Sequence, residues 1–232
     1  MSVVLLTSDS IYSRVIAQTL VHKNISIDLI IVERGKKEKK NCKTKLLSII
    51  GIKIYTYLSL RIKWSLEKLV DLKETELRNQ GLKYFRKSIS DVQFDFPSTV
   101  PLLLTENINS TVDELENYKT STFLVFGTGI LSKNIIRISN VGIINFHSSL
   151  LPSYRGTFPE FWQLYNCDYD QTGYTIHLID EGVDTGPIIF QKQVVARNDN
   201  PFVLRAMNVL SYIDELPNII SKFRSGSLVA VT

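Results

Sequence analysis

The sequence predicts an α/β protein built on a mostly parallel β-sheet, and three observations indicate this class. Short unbroken apolar runs are typical of strands that are buried on both faces. Segments with the helical spacing of apolar residues alternate with these runs along the chain. The 232 residues, 44% of them apolar, are enough for one large domain with a core of its own.

The first half of the chain opens on a strand–helix–strand pattern. Residues 2–6 and 28–32 are apolar runs that predict buried strands. Residues 11–22 have helical spacing and follow a segment rich in Ser, Thr and Asp, which are favoured N-cap residues. The alternation of apolar residues over 51–57 predicts a third strand, and the charged segment 61–90 predicts a helix.

The second half continues the alternation of strands and helices. Four apolar runs predict strands, at residues 122–126, 142–146, 173–179 and 187–195. Three segments predict helices, at residues 130–136, 159–165 and 200–224. Residues 228–231 predict a last strand, so we expect a large domain over residues 1–200 and a short helix/strand extension over 201–232.

Composition and charge exclude several classes of protein. No run approaches the roughly 18 apolar residues of a membrane helix, and the N-terminus lacks the pattern of a signal peptide. The two cysteines, Cys42 and Cys167, cannot form a disulfide framework, so we expect a reduced, cytoplasmic setting. The basic charge is concentrated in residues 34–45, and no nucleic-acid recognition motif accompanies it. We therefore expect neither a nucleic-acid nor a membrane partner.

Side chains with catalytic chemistry follow the predicted strands. In open α/β sheets, ligands bind at the carboxyl ends of the strands, and residues 127–131, 145–156 and 180–186 are predicted to lie there. Asn145 and His147 are two residues apart on a strand, so their side chains point to the same face.

An amide next to an imidazole can stabilise an oxyanion while the ring transfers a proton. Asp184 lies in a turn bounded by glycines and can orient the imidazole of His147. The alternative is a strand-end histidine that bonds only to backbone groups, with Asn145 as a turn residue. The residues alone leave both interpretations open.

The sequence around these residues resembles the folate-dependent formyltransferase family. The resemblance is carried by Asn-Phe-His-Ser-Ser-Leu-Leu-Pro at residues 145–152, by Arg-Gly at 155–156 and by Val-Asp-Thr-Gly at 183–186. Residues 126–132 resemble the family's loop on the side of the pterin, and the matching blocks lie between residues 122 and 195.

The resemblance implies a Rossmann-like, mostly parallel twisted sheet with helices on both faces. It also implies transfer of a formyl group from N10-formyltetrahydrofolate to an amine, without a metal ion. Carried over by position, Asn145 and protonated His147 would stabilise the oxyanion, and Asp184 would support His147. The pterin would lie against a loop and a turn formed by Thr128, Gly129, Ile130, Leu131, Asp180, Glu181, Gly182 and Val183.

Members of the family differ in the amine that they formylate. Methionyl-tRNA formyltransferases carry a further C-terminal domain, and the residues after Val195 are too few for it. Glycinamide ribonucleotide transformylases carry a glycine-containing phosphate loop after the first strand, whereas residues 7–11 contain no glycine. We therefore expect a nucleotide-linked amino sugar, in the first place a dTDP-4-amino-4,6-dideoxyhexose. The other two acceptors and a non-catalytic folate- or nucleotide-binding protein remain alternatives.

Arg155, Phe158 and Trp162 are the residues expected to contact this acceptor. They belong to the segment Arg-Gly-Thr-Phe-Pro-Glu-Phe-Trp, which resembles the amino-sugar branch, and aromatic rings can stack on sugars and bases. The alternative for the aromatic residues is the buried face of a helix, which we favour for Phe161.

Two further expectations concern residues outside these motifs. We expect His177 either to support the site residues from behind or to be a packing residue, because Ile176 and Leu178 point to the other face of its strand. An edge strand at residues 228–231 would favour a homodimer, because unpaired strands tend to pair.

Overall fold

A seven-stranded sheet forms the centre of the molecule. The computed structural model describes residues 2–35, 54–89, 92–196 and 200–227, of which 54–69 by their backbone only. The strands are β1 (Ser2–Ser8), β2 (Ser26–Glu33), β3 (Leu102–Thr105), β4 (Thr122–Phe126), β5 (Ile143–His147), β6 (Gly173–Leu178) and β7 (Ile188–Gln193). Their order is β3-β2-β1-β4-β5-β6-β7, and the first five are parallel while β6 and β7 are antiparallel to their neighbours. The predicted α/β Rossmann-like fold is confirmed.

Helices cover both faces of this sheet. They are α1 (Ile11–His22), α2 (Ile54–Ser88), α3 (Val112–Glu116), α4 (Lys133–Ile138), α5 (Pro159–Tyr165) and α6 (Pro201–Arg224). One buried cluster joins α1, α2 and α6 to one face of the sheet, and a second joins α3 and α4 to the other. Because the central strands are buried on both sides, their sequences are continuous apolar runs.

The predicted third strand is wrong. The structure begins helix α2 at Ile54, inside the predicted strand over 51–57, and residues 51–53 lie outside the described residues. The third strand is Leu102–Thr105, which pairs with β2 from Ile30 to Glu33. This strand has only four residues, and Leu102 and Leu104 are exposed at the edge of the sheet, so it lacks the pattern of a buried strand.

Helix α4 begins three residues later than the apolar spacing predicts. Ser132 is its N-cap and accepts a hydrogen bond from the backbone N–H of Ile135. Residues 127–131 therefore stay outside the helix, where their backbone groups face the open end of the sheet.

The terminal helix α6 packs in the same core as the central strands. Leu216 and Ile220, on either side of Pro217, are buried, so packing holds the helix together where proline removes a backbone hydrogen bond. The division into a domain over residues 1–200 and an extension stays a prediction, and the predicted strand at 228–231 lies outside the described residues. Among the described residues, no helix has both the length and the apolar content needed to cross a membrane.

Candidate active site

A cleft of about 470 Å³ opens at the carboxyl ends of β1, β4 and β5, a size typical of small-molecule sites. The structure brings the three predicted segments together here. The loop after β4, the end of β5 and the irregular segment between β6 and β7 all line the cleft. The convergence follows from the topology, because β4 and β5 are parallel neighbours that end at the same edge.

Asn145 and His147 point into the cleft from β5. Between them, Phe146 faces the opposite way and packs against Tyr174 and Tyr212, with ring centroids 5.6 and 4.7 Å away. This aromatic contact fixes the register of the strand, so the alternation of side chains delivers both polar groups to the same face.

His147 has hydrogen-bond acceptors on both sides of its ring. Its Nε2 lies 2.9 Å from the backbone carbonyl oxygen of Tyr154, which can only accept, so this nitrogen carries a hydrogen. Its Nδ1 lies 3.3 Å from Oδ2 of Asp184. A proton on Nδ1 would therefore be held between the ring and a carboxylate.

Asp184 joins the pair from the segment between β6 and β7. Its backbone has a φ of +50°, an uncommon conformation that Asp tolerates better than most residues, and its Oδ2 accepts a hydrogen bond of 2.8 Å from the Gly156 N–H. Burial by itself would raise the pKa of the Asp184 carboxyl. The adjacent His177 ring, the charge of His147 and the Gly156 N–H outweigh burial and hold this pKa below its ordinary value of 3.8. Asp184 is thus a carboxylate at neutral pH.

His177 contacts two of these three residues, so it lies behind them in a supporting position, which is one of the two interpretations given by the sequence. Its Nδ1 donates to the backbone carbonyl of Leu178 at 2.8 Å, and its Nε2 lies 3.0 Å from the nitrogen of the Asn145 amide. The same Nε2 lies 3.5 Å from Oδ1 of Asp184. Asn145 and His177 are directly paired across β5 and β6, a register that the sequence alone does not specify.

The predicted loop on the pterin side is held by two residues that sequence reasoning missed. Glu33, the last residue of β2, accepts hydrogen bonds from the N–H groups of Gly129 and Ile108, at 3.0 and 3.1 Å. Asn109 donates to the Ile130 carbonyl at 2.9 Å and accepts from the Ser132 N–H at 2.6 Å. These bonds fix the loop backbone and leave the Ile130 side chain 79% exposed.

The predicted turn over residues 180–183 lines the cleft together with this loop. Its Asp180 carboxylate accepts hydrogen bonds from the Gly182 N–H and the Thr185 hydroxyl, at 3.0 and 2.7 Å. A side chain at residue 182 would collide with Thr185, so glycine is required there. Glu181 forms ion pairs with Lys133 and Arg137 of α4, which tie the turn to the helix that follows the loop.

Of the three residues predicted to bind the acceptor, only Phe158 lines the cleft. Arg155 and Trp162 are exposed and are not among the lining residues, and their contact with the acceptor stays a prediction. Helix α5 begins at Pro159, and its turns bury Glu160, Gln163 and Leu164. The interpretation of Phe161 as a buried residue is also wrong, since its side chain is 40% exposed.

The far side of the cleft is lined by residues of which only Phe158 and Glu160 belong to a sequence motif, the segment 155–162. The lining residues come from four separate helices or their starts, and they are Ser10, Tyr12, Arg78, Phe158, Glu160 and Arg205. Glu160 is fully buried and forms a two-bond ion pair with Arg205, at 2.8 and 2.9 Å. No single local motif marks this side, because its residues come from four different helices.

The sequence model of the formyl transferase family matches residues 86–201, which is half of the chain. The chain belongs to this family. Among curated relatives, the methionyl-tRNA formyltransferase of Thermodesulfovibrio yellowstonii is 36% identical over 131 residues, which cover 55% of this chain and 42% of the relative. That of Cyanothece sp. is 41% identical over 87 residues, which cover 37% of this chain and 26% of the relative. The chain thus spans less than half the length of these curated relatives.

Solved structures of the same fold include two formyltransferases whose names give other acceptors. Glycinamide ribonucleotide transformylase 1 from Symbiobacterium toebii superposes with a TM-score of 0.65 at 18% identity, covering 99% of this chain and 90% of that one. A sugar N-formyltransferase from Shewanella sp. superposes with a TM-score of 0.56 at 18% identity, covering all of this chain and 73% of that one. At this identity, the similarity establishes the fold.

Proposed function

We propose that this protein transfers a formyl group from N10-formyltetrahydrofolate to the amino group of a nucleotide-linked amino sugar. The observation that carries the proposal is the convergence of Asn145, His147 and Asp184 on one cleft, at the end of the sheet where α/β proteins bind ligands. The family to which the chain belongs supports formyl transfer as the reaction class.

The reaction begins when the neutral amine attacks the formyl carbon and the carbonyl oxygen becomes an oxyanion. One N–H of the Asn145 amide is bound to His177, and the second is left to donate to the oxyanion. Protonated His147 stabilises the oxyanion through its positive charge, and the Asp184 carboxylate stabilises the imidazolium.

The tetrahedral intermediate then breaks down to products. The bond between the formyl carbon and N10 breaks, N10 takes up a proton, and the acceptor nitrogen releases one, so the net proton count is unchanged. The His147–Asp184 pair is placed to carry that proton. The products are a formamide and tetrahydrofolate, and no step requires a metal ion.

The fit of the formyl donor rests on the rim of the cleft. The branched side chains of Ile130 and Val183 line the cleft and are 79% and 51% exposed, so their apolar surface is open to a ligand. Loop and turn backbone groups lie beside them, so the pair can enclose a flat ring whose polar edge bonds to the main chain. We assign this pterin role to residues 128–131 and 180–183.

The acceptor is the finer part of the proposal. The nucleotide sugar is supported by the resemblance of residues 155–162 to the amino-sugar branch and by the Phe158 ring in the cleft. A second candidate is methionyl-tRNA, because the curated relatives cited above carry that name. The sugar and the nucleotide, with dTDP-4-amino-4,6-dideoxyhexose first, remain proposals.

A parallel acceptor assay tests the proposal. Purified protein is incubated with N10-formyltetrahydrofolate and, separately, with dTDP- and GDP-linked amino sugars, methionyl-tRNA and glycinamide ribonucleotide. We expect a formylated amino sugar and equimolar tetrahydrofolate, both lost in the Asn145→Ala variant. Product from methionyl-tRNA alone would replace the sugar with the second candidate, and no product from any acceptor would reject formyl transfer to these amines.

A further inference from the structure

The far side of the cleft holds a cationic pocket that the proposed mechanism does not use. Arg78 of α2 and Arg205 of α6 both line it, and each guanidinium lies over a phenylalanine ring. Cζ of Arg78 is 4.9 Å from the centre of the Phe202 ring, and Cζ of Arg205 is 5.0 Å from that of Phe158. The two rings pack against each other with centroids 5.2 Å apart, so the two guanidinium groups are anchored on adjoining supports.

Arg205 is held in one orientation by two hydrogen bonds, and its Nη1 group remains available to donate. Its Nε and Nη2 are bound to Glu160, whose side chain is fully buried, whereas the Arg205 side chain is 33% exposed. Within the described part of the chain, Nη1 has no hydrogen-bond partner. The buried carboxylate thus fixes the orientation of the guanidinium without occupying its free edge.

Arg78 and Tyr12 add further free donors to the same pocket. Nη2 of Arg78 donates to Glu74, an exposed residue one turn earlier on α2. The other side-chain nitrogens of Arg78 have no hydrogen-bond partner among the described residues. The Tyr12 hydroxyl also has no hydrogen-bond partner among the described residues. It lies close enough to Arg78, Arg205 and Glu160 for their charges to act on it. The donors therefore approach one space from α1, α2 and α6.

The carboxylates that line the cleft are distributed in the opposite way. The wall that we assign to the formyl donor carries Asp180, Glu181 and Asp184. The far wall carries only Glu160 among these lining acids, and its carboxylate is already paired with Arg205. An anion is therefore favoured on the far wall and disfavoured on the near one. Several donors that converge from different directions suit the oxygens of a phosphate group better than a planar carboxylate.

We propose that Arg78, Arg205 and Tyr12 form the subsite for a phosphate or diphosphate group of the acceptor. This inference rests on the proposed function for its direction, because it assigns the far wall to the acceptor and the near wall to the folate. Glu160 is the positioning residue that holds Arg205, and the Phe158 and Phe202 rings support both guanidinium groups.

Equilibrium binding tests the subsite without requiring turnover. The full chain is titrated calorimetrically with dTDP, ribose 5-phosphate and inorganic pyrophosphate, and separately with 5-formyltetrahydrofolate. Arg78→Met keeps an unbranched side chain at this position but removes the guanidinium, with its charge and its donors. We expect it to weaken binding of the phosphate compounds about tenfold, the effect of one charged hydrogen bond, and to leave folate binding unchanged.

The matched control is Arg86→Met, on the same helix. Arg86 also lies over a phenylalanine ring, 5.7 Å from the centre of Phe94, but does not line the cleft. We expect it to bind every probe as the unmodified protein does, and Tyr12→Phe to weaken only the phosphate compounds. Tighter binding of dTDP than of ribose 5-phosphate indicates a diphosphate, and equal binding a monoester.

Three outcomes would overturn the subsite. They are no binding of any phosphate compound, equal binding by Arg78→Met and the unmodified protein, and weakened folate binding in Arg78→Met. Because these titrations involve no catalysis, an Arg78-dependent phosphate site in a protein without formyl transfer would reject the proposed function alone.

Discussion

The two walls of the cleft are built in different ways. The wall assigned to the formyl donor consists of a loop and a turn, and their backbone is held by hydrogen bonds to Glu33 and Asn109 and by the ion pairs of Glu181. The opposite wall consists of long side chains from separate helices, supported by stacked rings and a buried ion pair. A wall of main chain suits a ligand that every family member shares, whereas a wall of side chains can change its specificity by substitution.

The largest expected effect lies between the walls, at the catalytic residues. The His147→Ala variant removes the imidazolium that stabilises the oxyanion and carries the proton, and we expect kcat to fall about 10²–10⁴-fold. His22→Ala, at the exposed end of α1, is the control and should retain full activity. A steady-state assay with circular dichroism of both variants decides the point, and a His147→Ala enzyme of normal kcat would remove this histidine from the mechanism.

The next effect concerns the stability of the acceptor wall. Arg205→Met leaves the carboxylate of Glu160 buried without its partner, and we expect the free energy of unfolding to fall by about 3–5 kcal/mol. Arg78→Met breaks the exposed pair with Glu74 and the contact of the guanidinium with the Phe202 ring, and should cost about 1–2 kcal/mol. Urea denaturation measures both free energies of unfolding. Equal losses would contradict the expectation that the buried ion pair contributes more to stability than the exposed one.

On the donor wall, Glu33 provides the corresponding test. Glu33→Ala removes the acceptor for two loop N–H groups, and we expect the KM for the formyl donor to rise about tenfold with little change in kcat. Glu116→Gln, an exposed acid on α3, serves as the control. A rise in the KM for the acceptor instead would mean that the two walls have been assigned the wrong way round.

A smaller effect is the pH dependence of stability contributed by Asp184. Its pKa in the folded protein is lower than the ordinary 3.8, so between those two values the unfolded chain binds more protons. The stabilisation is present above pH 3.8 and is lost as the pH falls through the folded pKa. We expect unfolding free energies measured from pH 6 to pH 3 to fall more steeply for the unmodified protein than for Asp184→Asn, and parallel curves would contradict this.

The smallest expected effect is at Trp162. Its side chain packs edge-on against Phe161 and Tyr165 outside the cleft, so Trp162→Ala should change the KM for the acceptor less than about twofold. Phe158→Ala, which removes a ring that lines the cleft, should raise it more. The reverse order in an initial-rate assay would restore Trp162 to the site.

Local sequence patterns were sufficient where the relevant interactions are local. Helices α1 and α5 begin and end at the predicted residues, because a cap or a proline marks the start of each. The pattern failed at β3, whose four residues gain their strand conformation from pairing with β2. The particular partner of His177 also had no local signal, because its contact with Asn145 depends on the antiparallel register of β6.

The sequence by itself determined the α/β class, the order of most elements and the shared face of Asn145 and His147, because these depend on the period of apolar residues and the alternation of a strand. Only the tertiary structure decided which helices form the acceptor wall. Tyr12, Arg78, Glu160 and Arg205 are far apart in the chain, and their meeting depends on how four helices pack against one sheet. Such contacts between distant residues leave no local pattern in the sequence.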